Sequence, residues 1–152
     1  MEKTITEKLR NFYKLCIIPA VLFFFITLIF QDKFKINTIT FPKINLVFIL
    51  LSLFFALVLP IIYRIINFYD VNFKGAMSEK RFIFFEKMLI IISQISIYIM
   101  IIGNYVIESK IVMIVLSVVA FYSLYYYYPT SKKINLDSRI FMPKSRKSKG
   151  KR

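Results

Sequence analysis

In this 152-residue chain, chemistry would have to come from ionisable or polar side chains set inside long apolar runs. A charge there is costly and is kept where it is paired or used. Few residues qualify. Arg64 and Glu86 lie eleven residues before and eleven after Gly75. A hairpin turning at Gly75 therefore brings them to a similar depth, where a guanidinium and a carboxylate can form an ion pair. Asp70 and Lys80 repeat the arrangement one loop further out. The simpler role for such pairs is to lock the hairpin, or to let the long stems run along apolar surface while the heads reach water; the alternative is a functional site.

Gln94, with Ser93 and Ser96, forms the only strongly polar cluster near the middle of a run. An amide at that depth can bond across helices, contributing about 1 kcal/mol or less, or it can line a solute path. Helix-to-helix bonding is the simpler role. With no carboxylate at mid-run, a proton-coupled exporter of the small multidrug type is disfavoured. The chain has 1 Cys and 0 His, which excludes an intramolecular disulfide, a dithiol relay, histidine-ligated haem and the usual zinc sites. No cofactor, metal site or paired catalytic groups are expected, so the chain is not read as an enzyme. Cys16 is read as a small helix-packing residue.

The elements that must hold these side chains follow from composition. The sequence is 58 % hydrophobic and 18 % aromatic with only 3 Gly, too apolar and too poor in turn formers for an ordinary soluble domain. About 20 mostly apolar residues cross a bilayer as a helix. Four segments meet that requirement: residues 12–30, 44–67, 82–103 and 110–128. The fold expected is an all-α membrane protein, a four-transmembrane-helix bundle over residues 1–129, followed by a basic cytoplasmic tail over 130–152. The first segment has a basic lead and no small-residue cleavage site after it, so it reads as an uncleaved signal anchor. Pro42 opens the second segment and Pro60 is expected to kink it or loosen a turn. Gly75 is the expected cap of that helix, Ser78 the N-cap of the next, and Gly103-Asn104 its end.

Each helix carries one stripe of small residues: Cys16, Ala20 and Thr27; Ser52 and Ala56; Ser93, Ser96 and Gly103; Ser117, Ala120 and Ser123. In lipid, helices associate by close backbone approach at such residues, so the stripes should converge on the interior.

The net charge is +14, from 22 Lys and Arg against 8 Asp and Glu. Its placement sets the orientation. Basic residues number four at the N-terminus (Lys3, Lys8, Arg10 and Lys14), five from Arg64 to Lys87 and nine in the tail, against three and one in the other two loops. This asymmetry predicts both termini inside the cell, with the protein in the inner (plasma) membrane. The tail begins with a weakly amphipathic stretch (Ile134, Leu136, Ile140, Phe141), read as lying on the membrane surface. It ends in Lys144, Arg146, Lys147, Lys149, Lys151 and Arg152, with nothing to bury and therefore expected to be disordered. Its expected partner is the anionic lipid headgroup, at about 1 kcal/mol per basic residue near the surface, in preference to nucleic acid.

From Arg81 to Ile140 the chain resembles the second half of an uncharacterised family of small four-span bacterial membrane proteins. The resemblance rests on a basic residue opening the third helix, a polar residue halfway along it (Gln94), the Gly103-Asn104 break, and a last helix ending in Pro129-Thr130. A basic residue, Ile134 and Leu136 follow. That pattern favours Glu where this chain has Gln94, so no carboxylate role carries over. The resemblance implies a fold and no activity.

Three functions are open to such a chain: a non-catalytic accessory or scaffold subunit working with a larger membrane-protein partner, a small transporter or channel built by homo-oligomerisation around Gln94, and an immunity protein against a membrane-active peptide. The first is the simplest, since nothing in the pattern supplies more than packing faces.

Overall fold

The computed structural model describes residues 2–30, 42–107 and 109–142, and the described residues are helical apart from short connections. Six α-helices follow one another: α1 (Glu2–Phe30), α2 (Pro42–Leu53), α3 (Leu59–Lys74), α4 (Glu79–Val106), α5 (Lys110–Tyr126) and α6 (Ser131–Phe141). Between α2 and α3 the backbone widens into a π-helical turn, Phe54–Val58, so that Lys43–Phe73 forms one apolar rod of 31 residues. Pro60 explains the widening. It has no N–H to donate and its ring crowds the carbonyl one turn back, at Ala56; a wider turn relieves the clash without breaking the rod. The expected loosened turn is thus present, displaced to the residues before the proline.

Three helices, α1, the α2–α3 rod and α4, are long and apolar enough to cross a membrane, and α5 with α6 passes the same test only as a pair bent by 71°. Of the apolar windows, that of α4 is 56 % buried, against 17 % for α1 and for the rod. The bundle is therefore built around α4, with α1, the rod and α5 packed about it.

Local signals set the helix ends. Gly75 caps α3 at φ 89°, a left-handed conformation that suits glycine, and its N–H donates to the Val71 carbonyl at 2.9 Å. Ser78 caps α4, its hydroxyl accepting from the Arg81 N–H. At Gly103 the expectation fails: α4 runs on to Val106. A Cβ at Gly103 would stand 3.0 Å from Leu116 Cδ1 and 3.3 Å from Ile107 Cδ1. This glycine is there to let α5 approach, and it terminates nothing.

The small-residue stripes do converge. Ala20, Thr27, Ser52, Ala56, Ser93, Ser96, Gly103, Ala120 and Ser123 are buried, and only Cys16 and Ser117 are half-buried. Around them lies one core cluster in the apolar part of the bundle, centred on Ile97, Ile101 and Leu116. A second cluster closes the end where α1 begins, α3 turns into α4 and α6 lies. Here Ile5 and Leu9 meet Phe82, Phe85, Tyr127, Ile134 and Phe141. We refer to this as the basic end.

Candidate functional site

The basic end holds the only concentration of buried charge among the described residues, and four helical positions build it. Arg64 comes from α3, Glu86 from α4, and Lys133 and Asp137 from α6. Asp137 is 1 % exposed and Glu86 3 %. Arg64 Nη2 donates to Asp137 Oδ2 at 2.6 Å. Glu86 stands within electrostatic reach of Asp137, Lys133 and Arg64, while its Oε1 and the Arg64 Nε make no hydrogen bond among the described residues. Lys133 Nζ donates to the Tyr126 carbonyl at 3.0 Å and lies 4.9 Å from the centroid of the Tyr127 ring. Burial lowers the Lys133 pKa and Arg64 adds to that, while Glu86 and Asp137 act in the opposite sense. Two carboxylates and two cations thus face one another under aromatic cover. Tyr63 stacks on Phe85 at 5.5 Å, and Phe85 meets Phe141 at 4.7 Å.

This differs from the pairing the hairpin spacing predicts. Arg64 takes Asp137 in place of Glu86, and Asp70 pairs with Arg81 in place of Lys80. Equal depth in a hairpin is not enough to make a pair. Glu86 is in the same cluster, but α6 folds back and inserts a second carboxylate nearer the guanidinium. The stretch read as a surface-lying tail is an eleven-residue helix that turns Ile134, Asp137, Ser138 and Phe141 inward. The Met77 N–H donates to the Phe141 carbonyl at 2.9 Å, tying it to the α3–α4 turn. Sequence reasoning missed Asp137 and Lys133 because it took their surroundings as solvent or headgroups. A signal was available: Thr130 is an N-cap, its hydroxyl accepting from the Lys133 N–H, and residues 134, 137, 138 and 141 recur at helical spacing. Lys144, Arg146, Lys147, Lys149, Lys151 and Arg152 lie outside the described residues.

The mid-run cluster is tied into the backbone. Ser93 Oγ donates to the Ile90 carbonyl at 2.9 Å and Ser96 Oγ to the Ser93 carbonyl at 2.8 Å. Ser123 Oγ reaches across from α5 to the same Ser93 carbonyl at 2.6 Å. Gln94 is buried on α4, and its Nε2 has no hydrogen-bond partner. Ser52 Oγ, on the rod, is likewise buried and unpartnered. Among the described residues no group of three or more His, Cys, Asp or Glu side chains could hold a metal ion.

Compared with known proteins, the chain matches no family model, and no curated protein or solved structure is significantly similar to it.

Proposed function

We propose that this chain is a non-catalytic integral membrane protein, an accessory or scaffold subunit that offers helix faces to a larger membrane-protein partner. In this reading α1, the α2–α3 rod, α4 and α5 each cross the plasma membrane, and both termini lie in the cytoplasm. The 71° turn after α5 then lays α6 along the cytoplasmic surface. The asymmetry of basic residues supports the orientation.

One observation carries the reading. The side chains that could do chemistry face inward and onto one another, whereas the outer faces are apolar. Leu15, Ile18, Leu22, Phe25 and Ile29 on α1 are exposed, as are Leu46, Leu50, Ile61 and Ile65 on the rod. Such faces suit lipid or another helix and supply nothing that would turn over a substrate. A transporter formed by copies meeting around Gln94 needs that amide on an outer face, and it is buried within the single chain.

Native capture from mild detergent is the test. An accessory subunit brings one membrane protein with it in fixed proportion, and exchanging Leu15, Leu22 and Phe25 for alanine releases that protein. A chain that is captured alone and that carries solute flux above empty vesicles overturns the proposal. Cytosol-specific reporters fused to each end should both be active; one silent end removes the four-span orientation.

A further inference from the structure

A seam runs along the outer side of α5, made of two grooves that share Phe121. The groove nearer the middle of the bundle, about 350 Å³, lies between Phe24 of α1 and Ile114 and Val118 of α5. The groove at the basic end, about 520 Å³, is lined by Leu124, Tyr125 and Tyr128 and ends at Thr130 and Lys133. From Met113 to Tyr125 the helix rises about 18 Å, close to half of the roughly 30 Å hydrocarbon core of a bilayer. The lining changes along this length. Met113, Ile114 and Val118 line the inner part together with Ser117 and Asn104, tyrosines line the outer part, and Thr130 and Lys133 close it.

The charged side chain that lines the closed end is Lys133, which also lies within electrostatic reach of Glu86 and Asp137 in the buried cluster. No carboxylate lines either groove. Lys133 sits over the Tyr126 and Tyr127 rings, 5.3 and 4.9 Å from their centroids. Arg10, from α1, lies 5.9 Å from the centroid of the Tyr128 ring, and its buried Nε has no hydrogen-bond acceptor among the described residues. Lys132 and Arg139 are exposed on α6 nearby. Tyr13, whose hydroxyl donates to the Leu124 carbonyl at 2.6 Å, holds α1 against this end and so fixes Arg10 beside it. A cation with unused donors at the head of an apolar channel one leaflet long complements one kind of molecule.

We propose that the seam holds a single anionic phospholipid, its phosphate at Arg10, Lys133 and Thr130 and one acyl chain along Phe121, Val118 and Ile114. This rests on the membrane-spanning reading above. It assigns a specific lipid to one side of the bundle, distinct from any diffuse attraction of the basic tail.

The chain has no Trp, so Phe121→Trp, at an exposed position, supplies a sole indole reporter inside the seam. The variant is reconstituted in phosphatidylcholine vesicles containing either brominated phosphatidylglycerol or brominated phosphatidylcholine. Quenching should reach half its maximum at about fivefold lower mole fraction of the anionic lipid, the preference expected from one desolvated cation. Adding Arg10→Gln should abolish that preference, while Lys8→Gln, on an exposed part of α1, should leave it intact. Arg10 holds no ion pair among the described residues, so its exchange leaves the buried charge cluster in place. Equal quenching by the two lipids overturns the site and leaves the membrane reading standing. A preference that survives Arg10→Gln overturns the headgroup assignment. Absence of quenching by either lipid overturns both readings.

Discussion

At the basic end, large rings do the packing: Phe82, Phe85, Phe141 and Tyr127 enclose a charged cluster and join helices far apart in sequence. In the apolar part of the bundle, the contact between α4 and α5 is made by Gly103, Ser93, Ser123 and Ala120, and the backbones come close. The difference reflects what each region excludes. Near water, burying aromatic area is itself a drive, at about 25 cal/mol per Å². In the membrane-spanning reading proposed above that drive is missing from the apolar part, because lipid is as apolar as the side chains, and close contact plus hydroxyl bonds must serve. The consequence is a division of labour. The basic end is specified by pairs and caps whose loss is expensive, and the apolar part by many small contacts, each cheap to lose.

The largest effect should come from Asp137→Ala. It removes the carboxylate that Arg64 binds and leaves two cations to share Glu86 beneath the aromatic cover, at a cost of about 3 kcal/mol, read as a fall in the thermal midpoint of the detergent-solubilised protein. Exchanging both partners, Arg64→Met with Asp137→Leu, should recover most of that loss. A double variant as unstable as the sum of the single ones would show that the pair is not what holds α6.

Next is Gly103→Val in the apolar part. Its side chain must displace Leu116, which would stand 3.0 Å from the new Cβ, and overpacking of this kind costs about 1–3 kcal/mol. Gly75→Val meets no atom within 4 Å but imposes a side chain at φ 89°. Comparing the two thermal midpoints would separate crowding from backbone strain.

A smaller effect is expected from Thr130→Ala, about 1 kcal/mol from the lost N-cap. It should act locally, and hydrogen exchange over residues 131–141 should accelerate while α4 stays protected. The smallest is Ser123→Ala, about 0.6 kcal/mol for one interhelical hydroxyl bond in a bilayer. A loss approaching that of Asp137→Ala would erase the contrast between the two regions.

Much of the bundle was legible because its causes are local. Gly75 and Ser78 act within one turn of themselves, and the small stripes are periodicities that α-helical geometry reads onto a single face. The charged cluster was not legible for the converse reason. Arg64 has an acidic residue at matching depth in Glu86, and no spacing rule ranks it below Asp137, 73 residues away in sequence. Gly103 misled in a similar way, since a glycine that ends a helix and one that admits a neighbour look alike until the neighbour is placed.

By itself, then, the chain determined the long apolar helices, the turn at Gly75 and Ser78 and the small-residue face that each helix buries, since all three depend on interactions within a few residues. The tertiary structure alone decided that α6 returns to the basic end, that Asp137 takes Arg64 from Glu86, and that two grooves open along α5. Those outcomes depend on which of several chemically suitable groups arrives nearest, and that is a property of packing in three dimensions.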